Sequence, residues 1–158
     1  MKKGCPFGTH RVIEPQGVLP QAAWQIDNNM ELYANEILIN VKTLNLDSAS
    51  FYQIKEEAGG NVEKIKEIIL GTIEKRGKQH NPVTGSGGML VGEIASVGEQ
   101  LKEKVNVFPG DKIATLVSLS LTPLKIQEIE SVSLDSGQID VKGEAILFES
   151  GVFAPLPP

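Results

Sequence analysis

Cysteine is nearly absent from this chain of 158 residues; Cys5 is the only one. No disulfide can close within it, and a reducing cytoplasm is the expected setting. Histidine is almost as scarce, with His10 and His80 alone. Cys5, His10 and His80 form no CxxC pair and no i, i+3 pair, so no structural zinc ribbon is expected. A free thiol and surface or hydrogen-bonded histidines are the simpler reading. Apolar runs are short, and none approaches the ~18 residues that would span a bilayer. The N-terminal "MKKGCPFGTH" has lysines but no apolar stretch behind them, so it does not read as a signal peptide. Net positive charge is also missing: the formal charge is -5, which argues against a nucleic-acid partner. Lys64, Lys66, Lys75, Arg76 and Lys78 make the one local basic cluster, and Glu63, Glu67 and Glu74 interrupt it. A solvated helix face is expected there.

What is present fits a single domain with a real core: 41% apolar and 22% charged residues, ordinary values for a globular chain. Pro6, Pro15 and Pro20 exclude a helix near the N-terminus. Short extended pieces are expected around Arg11–Glu14 and Trp24–Asp27. In "NEILINVKTLNL", Ile37, Ile39, Val41 and Thr43 alternate with Leu38, Asn40, Lys42 and Leu44, which predicts a strand. Asp47, Ser48 and Ser50 can each cap the helix predicted for "SASFYQIKEEAGG", which Gly59 and Gly60 stop. Asn61 opens a second helix with Val62, Ile65, Ile68, Ile69 and Ile73 on one stripe, ending near Gly77. Strand patterns then cover 89–97, 111–118, 124–134, 138–142 and 144–149, with "DSG" and "KG" read as hairpin turns. The Pro-rich "GVFAPLPP" reads as the start of a linker. The fold class expected is α+β, mainly β, with a mostly antiparallel, barrel-like sheet.

The glycine cluster "TGSGGML" invites a phosphate role, and the residues refuse it. A P-loop needs a lysine and a hydroxyl residue after the last glycine; Met89 and Leu90 stand there. A dinucleotide fingerprint needs a third glycine and a following helix; Leu90 occupies that position and a strand follows. A bend that lets two backbones approach closely is the expected role. No Gly-x-Ser-x-Gly elbow exists. Two polar groups are left. Asn45, Asp47, Ser48 and Ser50 sit at a strand-to-helix junction, where donors converge; helix capping competes with a site role there. His10 and Arg11 precede a strand, and Arg11 is suited either to gripping a carboxylate in two places or to a salt bridge.

The block "GSGGMLVGEIASVGEQLKEKVNVFPGDKIATL" resembles the GroES-like catalytic domain of medium-chain dehydrogenases and reductases. Gly92, Ile94, Val97, Gly98, Pro109, Gly110, Asp111 and Lys112 carry that likeness. Zinc-dependent members place a Cys where Asn45 falls, and a His-Glu pair near Gly88 and Met89; their four-cysteine lobe is replaced by "SLSLTPLKIQEIES". The resemblance therefore implies the scaffold without zinc. The runs "KGCPFGTHRVIEPQGVLPQAAWQIDN", "LNLDSASFYQI" and "NPVTGSGGML" resemble the L-erythro-3,5-diaminohexanoate dehydrogenase family. That likeness implies a GroES-like, partly open β-barrel, with two helices between an N-terminal strand and the later strands. It implies a substrate domain over 1–150 and a linker from 151 toward a nucleotide-binding domain that this chain lacks. It also implies NAD or NADP as hydride acceptor, a small diamino acid as substrate, lysine fermentation as the setting, a homo-oligomer, and no membrane partner. With the acceptor's domain missing, the chain by itself is expected to be catalytically silent. A zinc-independent quinone-reductase-like enzyme, or a stand-alone GroES-like binding or oligomerisation module, are the alternative readings. The expected catalytic residues are Asp47, Asn45 and Ser48. Around the substrate, His10, Arg11, Ser50, Thr84, Ser86, Gly87 and Gly88 are expected.

Overall fold

A computed structural model describes all residues from Met1 to Pro158. A six-stranded antiparallel sheet organises the chain, in the order β6-β7-β3-β4-β5-β8. Its strands are β3 (Glu36–Leu46), β4 (Gly88–Val97), β5 (Lys112–Thr115), β6 (Leu124–Val132), β7 (Gln138–Phe148) and β8 (Phe153–Pro155). β6 and β8 are its two edges, so the sheet is open. Two short strands, β1 (Val12–Glu14) and β2 (Gln25–Ile26), pair separately within the N-terminal arm. Helices α1 (Ser48–Glu57) and α2 (Val62–Arg76) fall between β3 and β4. The α+β, mainly β class holds, and so does the placing of the helices.

The helices form for the reasons visible in their sequences. Asp47 accepts a hydrogen bond from the Ser50 N–H and caps α1; Asn61 does the same for α2 through the Lys64 N–H. α2 ends at Gly77 in the left-handed conformation. Ile65, Ile69 and Ile73 are buried, whereas Ile68 is only partly covered. Each fully buried isoleucine contributes roughly 1.5–3 kcal/mol. They join one cluster of 24 buried apolar residues that runs from α1 and α2 across β3, β4 and β7.

Four expectations need correcting. The alternation in β3 breaks at Lys42, where both neighbouring registers shift; Leu44 and Leu46 are therefore buried and Thr43 only half-buried. The "KG" pair makes no turn. β7 runs unbroken through Lys142 and Gly143, because a side chain at Gly143 would meet the Lys125 carbonyl and Ile126 on β6. The tail, expected to open a linker, pairs with β5 as β8. Finally, the basic cluster is not one solvated face. Arg76 is 5% exposed and Lys78 fully buried. The Arg76 guanidinium stacks 4.0 Å from the Trp24 ring centroid and donates to the Trp24 and His80 carbonyls. Lys78 Nζ donates to the Pro20 carbonyl at 2.7 Å. Both cations fasten the N-terminal arm to the end of α2.

Candidate functional site

The polar residues at the strand-to-helix junction and those of the glycine loop come together. β3 delivers Asn45 beside Met89 and Leu46 beside Gly88, as cross-strand partners of β4. Gly88 adopts φ +136°, and a Cβ there would collide with the Asn45 carbonyl. Gly87 is squeezed in the same way between the Gln79 carbonyl and the Ser120 N–H. These glycines serve close backbone approach, as the sequence reading expects.

That approach brings the 82–86 loop onto the first turn of α1. Ser50 Oγ lies 2.8 Å from Thr84 Oγ1 and 2.7 Å from Ser86 Oγ. Thr84 Oγ1 and Ser86 Oγ are 3.1 Å apart. Three hydroxyls so arranged can donate to one another in a ring, leaving oxygen lone pairs facing outward. Ser50 is buried, Ser86 half-buried and Thr84 exposed, so the group opens to solvent on one side. Asp47 stands next to it. Its Oδ1 is used by the Ser50 N–H at 2.9 Å, while Oδ2 is buried and has no hydrogen-bond partner. Burial alone would raise the Asp47 carboxyl. The Ser50 N–H, with the nearby Ser86 and Ser50 hydroxyl dipoles and its own N–H, outweighs that and holds it below the usual aspartate range. Asp47 is therefore a fixed anion whose Oδ2 is unpartnered and shielded from solvent. Ser48 is exposed and Asn45 half-buried.

His10 and Arg11 are elsewhere. Arg11 Nε and Nη2 grip Glu36 at 2.7 and 2.8 Å, and His10 Nε2 donates to the same carboxylate at 2.8 Å. The remaining Arg11 N–H groups reach the Asp27, Asn29 and Glu31 carbonyls. All five guanidinium donors are thus occupied inside the protein. Glu36 is the first residue of β3 and Asp47 follows its last. At ~3.3 Å per residue, roughly 35 Å of strand separates the two groups, too far for one small molecule to touch both. The residues expected around one substrate fall into two places, and only the Asp47 place has free polar capacity.

Three residues not expected in the site, one of them the His80 expected to lie at the surface or in a hydrogen bond, sit at or just before the loop that carries Thr84 and Ser86. Asn81, 1% exposed, accepts from the Val83 and Thr84 N–H groups and donates to Gln53. His80 Nε2 donates to the Gly85 carbonyl at 3.1 Å, which leaves Nδ1 as a buried acceptor without a partner. Burial, then the Lys78 and Arg76 charges, push His80 down to about 4, so it is neutral. The Gln79 amide is buried and unpartnered at both atoms. Of these, Asn81 alone had a sequence signal: Asn-Pro opening a loop before Thr is a turn pattern. No three His, Cys, Asp or Glu side chains converge to hold a metal ion.

Comparison with known proteins adds what geometry cannot. Residues 10–157 match the model of the L-erythro-3,5-diaminohexanoate dehydrogenase N-terminal domain. An L-erythro-3,5-diaminohexanoate dehydrogenase of Fusobacterium nucleatum is 60% identical over 157 residues, which is 99% of this chain and 46% of the relative. One of Acetoanaerobium sticklandii is 59% identical over 155 residues, 98% of this chain and 45% of the relative. The chain thus spans slightly under half the length of the curated relatives it matches. Nearly every residue described above, from the Arg11 clamp to β8, lies inside the matched segment, and the chain belongs to the L-erythro-3,5-diaminohexanoate dehydrogenase N-terminal domain family.

Proposed function

We propose that this chain is the substrate-holding part of an NAD(P)-dependent dehydrogenase. The reaction is the reversible oxidative deamination of L-erythro-3,5-diaminohexanoate to 5-amino-3-oxohexanoate and ammonia, as in lysine fermentation. The family match over residues 10–157 carries this reading. We take the scaffold to be GroES-like, the enzyme to be cytoplasmic, homo-oligomeric and zinc-independent, and the cofactor to be bound by the half of the relatives that this chain does not span.

A substrate with two ammonium groups needs an anion and oxygen acceptors. Asp47 and the Ser50, Thr84 and Ser86 hydroxyls supply that set. The lowered pKa of Asp47 makes it an anchor for an ammonium and a poor proton acceptor, because its carboxylate is already stabilised. Asn45 and Ser48 border the same opening and offer further hydrogen bonds. The backbone at Gly87 and Gly88 forms the opposite wall. The nicotinamide, when bound, supplies the acceptor for the hydride that leaves C3. This chain's own part is to hold the amine-bearing carbon and to keep the Asp47 charge in place.

The test is NAD(P)H formation from the diamino acid by an enzyme carrying this segment together with a nicotinamide-binding portion. Replacing Asp47 with Asn keeps a good helix cap and removes the charge. Turnover should fall about a hundredfold, in line with the loss of a charged hydrogen bond in a site, with little change in melting temperature. Equal losses of activity and stability would return Asp47 to capping alone.

A further inference from the structure

The three hydroxyls come from two separate pieces of chain, and hydroxyls alone do not hold such pieces in register. Ser50 belongs to α1; Thr84 and Ser86 belong to an exposed loop that ends in two glycines. Beside the hydroxyl bonds and a 3.4 Å bond from the Asp47 N–H to the Gly87 carbonyl, the ties between the pieces run through one buried side chain. Asn81 Oδ1 accepts from the Val83 N–H at 2.8 Å and the Thr84 N–H at 3.2 Å. Its Nδ2 donates to Gln53 Oε1 at 2.9 Å and to the Ser50 carbonyl at 3.4 Å, both on α1. Its main-chain N–H donates to the Ser86 carbonyl, and its carbonyl accepts from the Gly85 N–H, each at 2.8 Å. One residue therefore shapes the loop through its acceptors and ties the loop to α1 through its donors.

We propose that Asn81 is the positioning residue of this site, fixing Thr84 and Ser86 against Ser50 so that the oxygen set meets a substrate ammonium already assembled. This rests on the reading of the Asp47 site given above. Asn81 has no role in the chemistry: it acts through the loop it holds. The division of labour within its amide makes the idea separable from plain stability. Asn81→Ala removes both functions. Asn81→Asp keeps the acceptor for the Val83 and Thr84 N–H groups and loses the donors to α1. Gln53→Ala leaves Asn81 and the loop intact and cuts the stronger side-chain tie to α1.

The experiment is calorimetric titration of the chain and these variants with L-erythro-3,5-diaminohexanoate, at a temperature where circular dichroism shows each one folded. Asn81→Ala should bind about tenfold more weakly or worse, with Gln53→Ala and Asn81→Asp between it and the parent chain. Amide hydrogen exchange at Thr84 should quicken in Asn81→Ala and stay slow in Asn81→Asp. A folded Asn81→Ala chain that binds within about twofold of the parent overturns the proposal. If Asn81→Ala does not fold, Gln53→Ala decides on the same criterion. A parent chain that does not bind the diamino acid at all overturns the underlying reading of the site, an outcome distinct from variants that bind as well as the parent.

Discussion

Arg11 and Glu36 meet side-on, Nε to Oε2 at 2.7 Å and Nη2 to Oε1 at 2.8 Å, with both side chains 1% exposed. A guanidinium placed this way is an internal fastener, joining the N-terminal arm to the first residue of β3. Removing one partner strands a buried charge. Arg11→Met should therefore cost about 3–5 kcal/mol, read as a shift in the urea midpoint. The double variant Arg11→Met, Glu36→Leu should recover much of that loss, since burying two apolar groups avoids the unpaired charge.

The same pair gives the acid limb of stability its sign. Burial alone would raise the Glu36 carboxyl; the Arg11 hydrogen bonds, the Tyr33 N–H, the Arg11 charge and His10 outweigh it and hold it below its ordinary value of 4.5. A depressed carboxylate contributes stability above its unfolded pKa and loses it as pH falls through the folded one. Glu36→Gln should be less stable than the parent at neutral pH, and the gap should narrow below about pH 4.

Lys78 and His80 give the same sign in windows at higher pH. Burial, and then the Arg76 charge, lower Lys78 from 10.5 to about 7. Between those values the unfolded chain binds a proton that the folded chain does not, so stability rises with pH across that window. His80, lowered from 6.5 to about 4, gives the same sign between those two values. Lys78→Met should flatten the upper slope and His80→Gln the lower one, both measured as urea midpoints against pH.

Gly88→Ala should strain the junction of β3 and β4. The left-handed backbone there costs a non-glycine residue about 1–3 kcal/mol, and the new methyl meets the Asn45 carbonyl as well. Gly85→Ala, whose added carbon meets nothing nearby, should suffer only the backbone part of that penalty. Thermal unfolding of the two variants side by side separates the two effects.

Much of the frame was legible because it depends on local rules. The caps at Asp47 and Asn61, the stripe on α2 and the β-branched run of β3 each follow from residues within a few positions of one another. The misreadings all depend on distant partners. Gly143 looks like a turn residue until β6 lies against it, and Lys78 looks solvated until the Pro20 carbonyl meets its amine. Arg11 promised a grip on a carboxylate; nothing in the neighbouring sequence says that the carboxylate is Glu36, 25 residues away. The residues at 45–50 and 84–88 lie side by side, and it was the likeness to a known scaffold that supplied this long-range pairing, which pattern alone does not give.

Trp24 rests on Arg76 and is the only tryptophan in the chain. Its emission is therefore an unlabelled local probe of the arm's seat on α2. Peeling of the arm ahead of the core would appear as a fluorescence transition that precedes the loss of sheet and helix dichroism, so one sample can time two events in a single melt.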